Sequence, residues 1–168
     1  MLFRSVRYAS GALIGSPGTQ GNLSSLLFQS TRMNRVTGES LFLKDPNCRC
    51  IDPNSEFVLN PKAWVDAAPG QFGSSAGYYN DYRWQHVASE SVSLGRVFPV
   101  RERFKLQVRA EFFNVFNRLI LPGPTSGNPL ATQTRNTATS IPTAGFGFIN
   151  ANNAGGQRNG QLVARFEF

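Results

Sequence analysis

The clearest pattern in the chain is an alternation of apolar and polar residues over 104–117, FKLQVRAEFFNVFN. In a β-strand, successive side chains point to opposite faces, so the apolar positions would share one face and the charged residues the other. The apolar positions are Phe104, Leu106, Val108, Ala110 and Phe112. A helix would scatter them around its circumference, because successive residues are about 100° apart. The pattern therefore predicts an amphipathic strand.

Three further segments have the same period. At 161–168, QLVARFEF, the apolar residues alternate with mostly polar ones, and segments 90–98 and 2–9 alternate more weakly. The apolar positions of the last segment are Leu162, Ala164, Phe166 and Phe168. The link at 99–103 is short and polar, which predicts an antiparallel hairpin over 90–117. We expect the strand at 161–168 to pair with 104–117, its neighbour in sequence.

Two long connections, 10–89 and 118–159, separate these strands and are rich in Gly, Pro and Asn. Such composition predicts irregular loops. Residues 23–30 have a helical spacing of Leu, and Asn60 followed by Pro61 is typical of the start of a single helical turn. The predicted fold class is all-β.

The order of the links favours a membrane barrel over a soluble sandwich. Outer-membrane barrels have tight turns on the periplasmic side and long loops outside, and the order long, short, long satisfies that alternation. A sandwich has no such rule, although its strands would be equally amphipathic. The aromatic residues at the end of the last strand also favour a barrel, whose strands carry aromatic girdles at the interfaces. In a barrel, the lipid-facing residues would be Phe104, Leu106, Val108, Ala110, Phe112, Leu162 and Ala164.

The segment ERFKLQVRAEFFNVFNR, with its closing strand RFEF, resembles the C-terminus of TonB-dependent outer-membrane receptors, and most closely the Oar-like group. Upstream, SGALIGSPGTQGNLSSLLFQSTRMNR, LFLKDPNCRCIDPNSEFVLNPKAW, APGQFG and YYNDYRW resemble the long loop of that group. The resemblance covers nearly the whole chain.

This resemblance implies nutrient uptake across the outer membrane, driven by an inner-membrane energy-coupling complex through a plug domain. The chain would be a C-terminal fragment of about four strands, whose partners are outer-membrane lipid and the missing N-terminal barrel and plug. By the same resemblance, Phe166 and Phe168 would be the signal for the barrel-assembly machinery. The first 15 residues lack the apolar core of an export signal, which also predicts an incomplete chain.

Composition narrows the function classes. Only 16% of the residues are charged, and no apolar run approaches the length of a transmembrane helix. The formal charge of +7 comes from scattered Lys and Arg, which argues against a nucleic-acid surface. Cys48 and Cys50 have too few further metal ligands around them for a zinc site. A disulfide between them would be geometrically tight, so an inert loop feature is favoured. No cofactor is expected.

One aromatic cluster, GYYNDYRWQ at 77–85, is a candidate site. Its rings are Tyr78, Tyr79, Tyr82 and Trp84. They would form a ligand platform or an interface belt, or they would pin the loop to the barrel wall, and the last is favoured. The alternative function is a secreted β-sandwich module that stacks carbohydrate on these rings. No catalytic arrangement stands out, and His86 is expected to be a hydrogen-bonded loop residue, so the chain is not expected to be an enzyme.

Overall fold

The structure is a computed structural model that describes residues 2–20, 31–101 and 103–168. It is all-β, with two short 3-10 turns, Pro61–Ala63 and Ala151–Asn153. In chain order the strands are β1 Leu2–Ala9, β2 Leu13–Gly15, β3 Asn34–Arg35, β4 Trp64–Val65, β5 Tyr78–Arg83, β6 Val87–Arg101, β7 Phe104–Phe113, β8 Thr134–Arg135, β9 Pro142–Ala144 and β10 Asn159–Glu167. None of the helical segments in the described residues is long and apolar enough to cross a bilayer. The helix expected at 23–30 lies outside the described residues.

The four long strands form one antiparallel sheet in the order β1-β6-β7-β10. Strands β6 and β7 make the predicted hairpin, with Val92 opposite Phe112. Strand β10 pairs with β7, with Leu162 opposite Ala110, so this prediction is also confirmed. The sheet lies in a compact unit made of the described residues of 1–9, 87–120 and 154–168, called here the sheet unit.

Strand ends differ from the predicted ones for local reasons. Strand β7 ends at Phe113, not at 117, because Asn114 and Asn117 have left-handed φ values of 48° and 50° that cannot continue a strand. Strand β6 extends from Val87 to Arg101, so the turn predicted at 99–103 is shorter. Pro99 lies inside the strand, next to a register shift where the strands pair irregularly.

The register separates the residues of the sheet into two faces. Paired residues share a face, so the central apolar row contains Leu2, Leu94, Ala110 and Leu162 and no charge. The opposite face of β7 and β10 presents polar and charged residues, among them Glu111 opposite Gln161. The alternation in the sequence therefore gives one apolar and one polar face.

The described parts of the long loops have little regular secondary structure, as predicted, but they are compact, which the sequence did not predict. The described residues of 10–86 and 121–153 form a second compact unit, called here the loop unit. Both loops contribute to its core, which contains Met33, Val58, Leu59, Tyr82, Phe146 and Ile149, all 0–1% exposed. Burial of apolar side chains from two loops in one core is what orders these Gly- and Pro-rich segments.

Backbone contacts fix the two loops to each other. The Val58 amide donates to the Gly147 carbonyl at 3.1 Å, and Gly147 has a φ of +81°. A Cβ at Gly147 would lie 2.6 Å from the Leu59 nitrogen, so a glycine is needed at this crossing. The turn predicted at 60–64 is also confirmed, since the Asn60 side chain accepts from the Lys62 amide at 3.0 Å.

Candidate functional site

The apolar face of the sheet is the first candidate functional surface. The residues predicted to face lipid all lie on it by register: Phe104, Leu106, Val108, Ala110, Phe112, Leu162 and Ala164. Many of its large side chains are exposed within the chain, including Leu162 at 75%. An uncovered apolar surface of this kind marks an interaction with another protein or with a membrane.

Charged residues also occur on this face, on either side of its central row. Arg4 lies in the row of Val92 and Phe112, towards the long connections. Arg96 lies towards the short turn, with its guanidinium carbon 5.1 Å from the Phe98 ring centroid. Long cationic side chains at such positions can extend towards water while their stems remain on apolar surface.

A buried polar network closes the end of the sheet that bears the long connections. Glu90 is 7% exposed and accepts hydrogen bonds from Arg118 Nη2 at 2.8 Å, Arg118 Nε at 2.9 Å and the Tyr8 hydroxyl at 3.1 Å. The hydrogen bond to Glu90 raises the pKa of Arg118, so this guanidinium stays charged. The network joins β1, β6 and the segment after β7.

Asn114 extends this network to the segment before β10. Its side-chain oxygen accepts from the Arg118 amide at 2.9 Å, and its amide group donates to the carbonyls of Arg118 and Gly156. The left-handed backbone at Asn114 reverses the chain so that these bonds can form. The network thus links β1, β6, the segment after β7 and the segment before β10 through side chains that periodicity does not single out.

The chain matches the family model of an outer membrane beta barrel domain over residues 5–161. It belongs to that family. The match includes strands β6 and β7, both long loops and the second half of β1. No curated protein matches the chain. No solved structure matches it either.

Membership of the outer membrane beta barrel family confirms the predicted fold class and the outer-membrane location. The open four-stranded sheet is a segment of such a barrel, and the secreted sandwich is set aside because a barrel domain of this family lies in the outer membrane. Phe166 and Phe168, the predicted assembly signal, lie beyond the matched residues and are 66% and 97% exposed. Their role stays a prediction.

The aromatic residues of this outer membrane beta barrel protein do not form one platform. Tyr82 and Trp84 are buried in the core of the loop unit, where the Tyr82 ring lies 5.5 Å from the rings of Phe42 and Trp64. The Trp84 indole N–H donates to the Leu121 carbonyl at 3.0 Å and so links the two loops. These two rings are therefore unavailable for stacking a ligand.

The other two aromatic residues remain nearer the surface. Tyr78 is 63% exposed, and the half-buried Tyr79 ring has the Arg35 guanidinium carbon 4.8 Å from its centroid. Arg35 also pairs with Asp81 at 2.6 Å, and hydrogen bonding to Arg35 lowers the pKa of Asp81. Of the four rings of this cluster, only that of Tyr78 is largely exposed and open to a ligand.

Cys48 and Cys50 form a disulfide, so the tight bridge is present that the sequence had made less favoured than an inert loop feature. The intervening Arg49 has a left-handed φ of 53°, which folds the chain back and brings the Cα atoms to 5.1 Å. Asn47, just before the bridge, accepts from the His86 amide at 3.0 Å and lies 2.7 Å from its Nδ1. His86 is thus a hydrogen-bonded loop residue, and the bridge holds one tight turn of the loop unit.

The network residues Glu90, Asn114 and Arg118 carry a weak signal in the sequence. Glu90 is a charge at a position of β6 where alternation calls for an apolar residue. Asn is the residue that most readily takes left-handed backbone after Gly, so the two asparagines in FNVFN mark a strand end. No local signal pairs Glu90 with Arg118, because the two are distant in sequence.

Proposed function

We propose that the chain is a wall segment with two surface loops of a TonB-dependent receptor of the Oar-like group, and that the intact receptor imports a scarce nutrient. The chain itself is not an enzyme in this proposal. The finer family assignment is supported by the resemblance of the closing strands and of the loop segments at 10–35 and 41–64.

The observation that supports a receptor most is the loop unit. Both long connections leave and re-enter the same end of the sheet, since Ala9 pairs with Val87 and Phe113 with Asn159. Their residues then share one core, so the protein presents an ordered surface rather than two independent loops. An ordered surface loses less conformational entropy when it binds a ligand.

Uptake by cells tests this proposal. Cells that lack the receptor gene should fail to deplete one compound from a defined nutrient mixture. Cells that lack the energy-coupling complex should fail to deplete the same compound. A compound whose uptake needs the barrel protein but not the energy-coupling complex would indicate a passive channel instead and would overturn the proposal.

We also propose that Phe166 and Phe168 direct the intact protein to the barrel-assembly machinery. Deletion of Phe168 should lower the amount of protein in the outer membrane, while the molecules that do assemble keep their ligand affinity. Loss of affinity at an unchanged outer-membrane level would instead give Phe168 a role in binding.

A further inference from the structure

A groove on the apolar face of the sheet unit places an arginine beside apolar surface. Its volume is about 330 Å³, and it is lined by Phe112, Val115, Arg158, Asn159 and Gly160. Gly160 pairs directly with Phe112 across β10 and β7. A Cβ at Gly160 would lie 3.0 Å from Cδ1 of the Phe112 ring, so the missing side chain makes the room beside that ring.

The groove lies where a membrane-spanning strand meets the interface. Phe104 and Phe112 are eight residues apart on β7, which is about 26 Å along the strand at roughly 3.3 Å per residue. At a tilt of about 40° this spans about 20 Å of membrane depth, close to the apolar band of about 25 Å found in outer-membrane barrels. Phe112 therefore lies near one border of the band, on the side of the long connections.

Arg158 lies just beyond that border, and its guanidinium group is not paired with a carboxylate of the described residues. No carboxylate of the described chain lies within ion-pairing distance of it, whereas Arg118, at the same end of the sheet, is held by Glu90. Arg4 adds a second positive charge to the same face, in the row of Phe112. The groove thus combines apolar walls with a cation at headgroup depth.

We propose that this groove binds one phosphate-bearing lipid of the leaflet on the long-loop side, with Arg158 holding the phosphate. The guanidinium fork matches phosphate oxygens in geometry and charge. The acyl chain contacts Phe112 and Val115 at the open space above Gly160. The site requires the apolar face to point towards lipid and is independent of nutrient uptake.

Native mass spectrometry of the intact outer-membrane protein tests the proposal. The protein is released from nanodiscs that contain either phosphorylated lipid A or the same lipid after removal of its phosphates. The wild type should retain the phosphorylated lipid. Arg158→Gln should retain it about tenfold less, because it loses a charge-assisted hydrogen bond, and Arg158→Lys should be intermediate.

Arg165→Gln is the control, since it removes one positive charge from the polar face of β10, the strand that begins just after Arg158. It should retain lipid like the wild type, and a heat-shifted mobility assay confirms that every variant is folded. Equal retention by the wild type and Arg158→Gln, or equal loss in Arg158→Gln and Arg165→Gln, would overturn the site. Equal binding of the dephosphorylated lipid, or displacement of the lipid by dilute inorganic phosphate, would also overturn it.

Discussion

Asn114 combines two roles in one residue, since it is buried, holds Arg118 and Gly156 with its side chain, and has left-handed backbone. Asn114→Ala should lower the free energy of unfolding by about 4–5 kcal/mol, from three lost hydrogen bonds of about 1 kcal/mol each and a left-handed alanine costing about 1–2 kcal/mol. Urea unfolding of the intact protein in lipid measures this loss.

Asn117 is the control for that experiment, because it is exposed and has a similar φ of 50°. Asn117→Ala should lose only the backbone contribution, about 1–2 kcal/mol. Equal losses in the two variants would mean that the Asn114 side chain contributes nothing to the end of the sheet.

The pH dependence of the loop unit is expected to come partly from Tyr82. The pKa of this phenol is raised, because burial disfavours the phenolate more than the neighbouring Trp64 indole favours it. The folded state keeps the proton at pH values where the unfolded chain loses it, so this contribution to stability is complete below about pH 10 and is lost above it. The loss should be about 1.4 kcal/mol per pH unit.

Comparison of Tyr82→Phe with Tyr78→Phe measures this effect. Tyr82→Phe should flatten the fall in unfolding free energy above about pH 10, whereas Tyr78→Phe should leave it unchanged because the Tyr78 side chain is exposed. Tryptophan fluorescence during urea unfolding follows the loop unit through Trp64 and Trp84. A parallel fall in the wild type and Tyr82→Phe would show that other groups dominate.

At the scale of elements, β7 offers a direct test of which face meets lipid. Val108 is midway between Phe104 and Phe112 and should lie near the bilayer midplane, where Arg costs about 2–4 kcal/mol. Val108→Arg and, less strongly, Leu106→Arg should reduce the amount of folded protein in the outer membrane. Gln107→Arg, on the polar face, should have little effect. Equal yields for the two faces would contradict the assignment.

The strands of the sheet were predictable because the signal for an amphipathic strand lies in neighbouring residues, which alternate between apolar and polar as Leu106 and Gln107 do. The ends of the strands were less predictable. The end of β7 depends on Asn114, whose left-handed backbone is stabilised by hydrogen bonds to Arg118 and Gly156. The bond to Gly156 joins segments that are distant in sequence. Periodicity contains no information about such a bond or about the local reversal that brings Arg118 back to Asn114.

The loop unit was missed for the same reason at a larger scale. Phe57, Tyr82 and Phe146 lie in Gly- and Pro-rich stretches without a regular period, so the sequence gives no sign that they are buried together. The aromatic cluster was recognised as a cluster, but which rings are buried depends on Phe42 and Trp64, which come from other parts of the loop. The disulfide depends on the backbone of Arg49, which composition does not reveal.

For the whole molecule, the open sheet limits what the 168-residue chain can do alone. Strands β1 and β10 form its two edges in the described structure, and unpaired backbone groups in hydrocarbon cost several kcal/mol each. We expect the purified chain to give no reproducible unit conductance in a planar bilayer. A constant unit size would show that several copies close one barrel.

The two loops share one core, and this affects how their sequences can vary and how they can be transferred to another barrel. Because Trp84 bonds to Leu121 and Val58 to Gly147, neither loop carries a complete core of its own. A chimera that exchanges residues 10–86 without 121–153 would combine core residues from two different proteins that do not fit each other. The two segments are therefore expected to evolve, and to be engineered, as a pair. An antibody against the native surface would recognise a discontinuous epitope, and immunisation with a linear peptide from either loop would miss it.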